Sequence, residues 1–205
     1  MIRLCRAIGL GAPPVAAFTV IIVGALSPGY DVTTRTVSRL AVPGMPAAAA
    51  VDVSIALVAL ACFAVAFGLG PGALVGRLAL AGAGAAFIGA ATIHLDPASA
   101  STTAAHRAAS GVALLGLTVA PLILARTYGR VLLLVAATEV GLLVIGLALL
   151  ATSFDAWRVW ERCLLAAALA GVVILSARLR TTAATTASAH AIVSANKASV
   201  SSGGS

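Results

Sequence analysis

A segment of about 20 consecutive apolar residues has few ways to fold. If lipid surrounds it, every backbone N–H and C=O must be satisfied within the segment, and only a helix does that. This chain has several such segments, at 47–67, 74–93, 108–125, 131–152 and 163–179. A sixth is less tidy. The run from Pro13 to Leu26 gives roughly 21 Å of helix, too short to span, so the helix is expected to start near Leu4 and tolerate a kink at Pro13-Pro14. Arg3 and Arg6 before it resemble a signal-peptide n-region, but the long, proline-interrupted run reads as a retained anchor.

Composition supports the same conclusion. Of 205 residues, 61% are hydrophobic and 9% charged, with a mean hydropathy of +1.11. A soluble domain carries about a quarter charged residues. A chain this short cannot hide so much apolar surface inside itself, so its outward surface is expected to face lipid. The net charge of +7 comes from arginines scattered singly along the chain, with one lysine, Lys197. A nucleic-acid surface needs clustered basic residues, and none is expected here.

Charge also predicts orientation. With the N-terminus inside, the inner segments hold Arg3, Arg6, Arg77, Arg126, Arg130, Arg178, Arg180 and Lys197, against Arg35, Arg39, Arg107, Arg158 and Arg162 outside. Asp31, Asp52, Asp96, Asp155 and Glu161 all fall on or near the outer side. Tyr30, Trp157 and Trp160 mark outer boundaries and Tyr128 an inner one. The expected architecture is all-α: a membrane domain of about six helices over 1–180, both termini cytoplasmic, then a disordered Thr/Ala/Ser-rich tail over 181–205. Small residues crowd the third span (Gly76, Gly82, Gly84, Gly89), which places it centrally. Cys5, Cys62 and Cys163 are too few and scattered for a disulfide or zinc framework and read as small core residues.

No phosphate-binding loop, serine-hydrolase elbow, zinc-protease motif or dinucleotide fingerprint is present, and no cofactor or metal is expected. The candidates for chemistry lie in the outer polar layer. After Pro28-Gly29, Asp31 or a following threonine can cap a short interfacial helix in which Val37, Leu40 and Ala41 share a face and Arg35 stacks on Arg39. The second outer loop holds His94, Asp96 and His106. Two imidazoles and a carboxylate form a candidate catalytic group for membrane-embedded hydrolysis; the competing reading is that they cap helices and turn the chain. Asp31, Arg35, Asp52 and Arg107 are candidate ligand-binding residues on the same side. Asp155 is expected to cap the sixth helix. Within the spans, Glu139 is the intramembrane acid, expected to face the bundle interior, either protonated or bonded to a residue such as Thr118.

The order Pro28-Gly29-Tyr30-Asp31, Thr36-Val37-Ser38-Arg39-Leu40, Asp96-Pro97, His106, then Trp157 with Glu161-Arg162 resembles a family of bacterial and archaeal membrane proteins known as domain of unknown function 998. The resemblance covers most of residues 8–179. Such proteins often have an acid where this chain has Arg39. The resemblance implies six spans and a polar outer face, and no reaction. The function expected is a non-catalytic one in the plasma membrane of a GC-rich bacterium, binding a lipid headgroup or a partner membrane protein. A hydrolase using His94, Asp96 and His106, or a proton-coupled carrier using Glu139, are the alternatives.

Overall fold

The computed structural model describes residues 1–33, 35–150 and 159–179. Among them are six helices long and apolar enough to cross a membrane: α1 (Ile2–Leu26), α2 (Ala48–Gly68), α3 (Leu74–Thr92), α4 (Ala100–Tyr128), α5 (Val131–Leu150) and α6 (Val159–Leu179). The expected short helix of the first outer loop is a 3-10 turn, Val37–Ala41. The expected Asp155 cap, Trp157, Arg158 and the 181–205 tail lie outside the described residues.

Consecutive helices run antiparallel and pack as neighbours, which puts the two ends of the bundle in different chemical settings. On the face carrying the N-terminus, Gly68 at the end of α2 lies against Cys5 of α1 and Leu179 of α6. Arg77 Nε donates to the Ala66 carbonyl at 3.1 Å, supplying a donor to the open C-terminus of α2. Arg3, Arg6, Arg126, Arg130 and Arg178 stand at helix ends on this face, and no described acid does. The far face carries Asp31, Asp52, Asp96 and Glu161 with Arg35, Arg39, Arg107 and Arg162.

α1 is one continuous helix with Pro13 and Pro14 inside it, and begins at Ile2, earlier than the expected Leu4. α4 begins at Ala100, two turns before the apolar stretch. At 29 residues it is about 44 Å long, longer than the hydrocarbon layer, and its first, more polar turns carry His106 and Arg107.

Small residues set the helix spacing, as packing in lipid requires. A Cβ on Gly84 of α3 would lie 3.1 Å from the Ala59 carbonyl of α2. One on Gly116 of α4 would lie 2.9 Å from the Ala79 carbonyl of α3. The third helix is not the most enclosed, however. Half of α2 is buried against a third of α3, and Gly72 and Gly82 face open space. α2 is enclosed because α1, α3 and the 3-10 turn all pack on it.

Val15, Phe18 and Ile21 of α1, Leu78 of α3, Leu115 of α4 and Leu134, Val144 and Leu147 of α5 are exposed around the bundle. A continuous apolar perimeter of this kind belongs in lipid. Of the cysteines, Cys5 and Cys62 are buried as expected. Cys163 is exposed, because it falls on the outward side of α6.

Candidate functional site

The far face is a polar layer in which loops are fastened to helix ends. Its densest point is His106. Nδ1 lies 2.7 Å from the Ile93 carbonyl and 3.1 Å from that of Ala90, while Nε2 lies 3.1 Å from Ser38 Oγ. Carbonyls only accept, so Nδ1 carries a proton and donates to them, while Nε2 and the Ser38 hydroxyl share the other hydrogen bond. The ring is buried, and both of its nitrogens have hydrogen-bond partners. Ala90 and Ile93 supply carbonyls that the end of α3 leaves open, so His106 caps one helix from the first turns of the next.

His94 is held elsewhere. Its Nε2 donates to Asp52 Oδ2 at 2.9 Å, joining the start of α2 to the end of α3, with both side chains about a third exposed. Asp52 Oδ1 is buried without a hydrogen-bond partner. Asp96 organises its own turn. Its Oδ1 accepts from the Ala98 N–H at 2.8 Å and its carbonyl from the Thr103 hydroxyl at 2.7 Å, and Ser99 then caps α4 through the Thr102 N–H. The three candidates His94, Asp96 and His106 therefore have separate partners, and no hydrogen bond joins any two of them. Among the described residues, no group of three His, Cys, Asp or Glu side chains is placed to hold a metal ion.

Asp31 turns the first loop instead of capping a helix, with Oδ1 accepting from the Thr33 N–H at 2.8 Å and its hydroxyl at 2.7 Å. Arg35 precedes the 3-10 turn, so it does not stack on Arg39 as a helical i,i+4 pair; both are exposed. Leu40 and Ala41 are buried with Ala47 and Val51, which draws this turn down onto α2. Arg107 is exposed.

The sequence marks Tyr30 as a boundary aromatic and Ser38 and Arg162 as motif residues, but it does not show that these three, with Thr103, are the partners that assemble this face. Arg162 at the head of α6 donates to Tyr30 Oη at 2.7 Å and to the Arg35 carbonyl at 2.9 Å. Tyr30 in turn points its hydroxyl at the Arg35 and Thr36 carbonyls, 3.3 and 3.2 Å away, and lays its ring over Gly24 of α1. Burial pushes the Tyr30 phenol above its ordinary range, with the Arg162 guanidinium pulling the other way. A Tyr and an Arg at helix boundaries carry only a membrane-interface signal, which does not name the partner.

Inside the membrane, Glu139 of α5 is fully buried, as expected. The Thr118 hydroxyl of α4 lies beside it but donates to the Leu114 carbonyl at 3.0 Å, and neither Glu139 oxygen has a hydrogen-bond partner. Trp160 of α6 crosses α5, its indole N–H donating to the Leu142 carbonyl and its ring lying against Gly146.

These features define a polytopic helical membrane protein with a cross-braced polar layer on one face. Its sequence matches the family model described as a protein of unknown function (DUF998) over residues 10–178, and the chain belongs to that family. No curated protein and no solved structure matches it.

Proposed function

We propose that the protein is a non-catalytic component of a bacterial plasma membrane, with both termini cytoplasmic, whose outer face binds a phosphate-bearing lipid headgroup. The observation that supports this reading is the Ser38–His106 hydrogen bond of 3.1 Å. It joins the first outer loop to the first turns of α4. The next residue along each of the two segments is an exposed arginine, Arg39 and Arg107. Guanidinium groups bind phosphate bidentately, and two of them on a braced scaffold lose little freedom on binding.

The polar groups that would serve a hydrolase already have structural work. His106 and Asp96 hold helix ends and turns. The arginines are left facing outward.

The test uses the full chain in nanodiscs of neutral lipid containing a small fraction of phosphatidylglycerol, with enrichment of that lipid around the protein read by native mass spectrometry. The expected result is selective retention that drops several-fold in Arg39→Gln/Arg107→Gln. Equal retention by the double variant would overturn the reading. A partner membrane protein captured by the wild type but not the double variant, with no lipid preference, would replace it with the partner-binding alternative.

A further inference from the structure

The outer-face reading makes no use of Glu139. This side chain is fully buried in α5, halfway along a helix whose other residues are almost all aliphatic. Both of its carboxyl oxygens are shut off from solvent and neither has a hydrogen-bond partner. The groups set against it are the Thr118 hydroxyl of α4, already donating to Leu114, and Gly171 of α6, where a Cβ would lie 3.5 Å from Glu139 Oε1 and 3.1 Å from Val135. None of them is ionisable, and no described charged side chain acts on the carboxyl from α4, α5 or α6.

A carboxylate in such a place has no counter-cation and at most the Thr118 hydroxyl, already engaged with Leu114, as a donor, and the surrounding lipid supplies no water to compensate. A metal cation would need several ligands, and among the described residues no group of three His, Cys, Asp or Glu side chains is placed to hold one. The remaining ligand that removes the charge is a proton. Its binding requires one oxygen lone pair, breaks no bond, and leaves a neutral acid that an apolar setting tolerates far better.

We propose that Glu139 is an intramembrane proton-binding site, holding one exchangeable proton where α4, α5 and α6 meet. The missing side chain at Gly171 gives the neutral acid its room, and the seam gains or loses charge only as that proton comes and goes. This inference is independent of headgroup binding at the far face.

The chain has two glutamates, Glu139 and Glu161, which makes a clean experiment possible. The full-length Glu161→Gln protein is labelled with carboxyl-13C glutamate, leaving Glu139 as the one labelled acid. It is reconstituted in ether lipids, which lack ester carbonyls, and studied by infrared spectroscopy at pH 7 in water and after equilibration in D2O. The expected result is an isotope-shifted carbonyl band of a protonated acid, moving to lower frequency in D2O. A carboxylate band in its place would overturn the proposal. So would an acid band that never responds to D2O, which would mean a sealed, purely structural proton. If Glu161→Gln fails to insert, the wild-type chain with the same label gives both glutamate signals, and comparison with Glu139→Gln isolates the one in question.

Discussion

His94 and Asp52 stand 42 residues apart in the chain and meet at 2.9 Å across the top of α2 and α3. The contact ties two helix ends whose loops would otherwise move independently. Because both side chains are about a third exposed, the pair is partly screened by water and contributes about 0.5–1 kcal/mol. A double-mutant cycle on Asp52→Asn and His94→Ala, read by unfolding in mixed micelles, should return a coupling energy in that range. Additive single effects would mean the pair is not formed in solution.

His106 should matter more. Replacing it with Ala removes the donor to the Ala90 and Ile93 carbonyls and leaves buried polar groups unpaired, at a cost of about 1–3 kcal/mol. Ser38→Ala removes one neutral hydrogen bond and should cost about 1 kcal/mol. Thermal stability of the two purified variants should rank in that order. The reverse ranking would show that His106 does not brace the end of α3.

Gly116→Ala would place a methyl 2.9 Å from the Ala79 backbone oxygen, which cannot swing aside as a side chain can. The two helices must separate, and a loss of about 1–3 kcal/mol is expected. Gly111→Ala on the same helix meets nothing, so it should be neutral or gain up to about 1 kcal/mol from helix propensity. Equal effects at the two positions would contradict the α3–α4 packing.

Tyr30 provides a pH test. Its phenol is raised by burial, so the folded state holds the proton more tightly than the unfolded chain. The resulting stability is fully present below the unfolded value of about 10 and is lost as pH rises through the higher folded value. In a Tyr128→Phe background, phenolate absorbance of the folded protein should titrate above that of the unfolded protein. A midpoint at or below the unfolded one would mean that Arg162 outweighs burial.

Orientation is open to direct labelling. With the native cysteines replaced by serine, Arg107→Cys should react with a membrane-impermeant maleimide in intact cells, and Arg130→Cys should react only after permeabilisation. The opposite pattern would invert the proposed topology.

Much of the architecture was legible in the residues. The apolar run lengths marked the spans, because a helix in lipid must satisfy its own backbone and its length is tied to the bilayer. The helix-end arginines and the one-sided acids marked two different faces, since charge is kept out of the hydrocarbon. Glu139 was expected to face inward because an acid exposed to lipid is too costly to keep there, and it does. The cap of α4 was not legible: the helix begins at Ala100 with Ser99 as its cap, ahead of the apolar stretch that marked the span.

The pairings could not be read that way. His94, Asp96 and His106 are close in sequence, yet the fold gives each a different partner, and the partners Asp52 and Ser38 come from other segments. A hydrogen bond depends on a few ångströms and a direction, which are set by how helices rotate and approach one another. That approach is governed by contacts such as Gly84 on Ala59 and Gly116 on Ala79, while Gly82 and Gly111 on the same two helices touch nothing. Hydropathy is a property of each segment alone and survives in the one-dimensional string. Which side chains meet is a property of the packed bundle, and only its three-dimensional arrangement decides it.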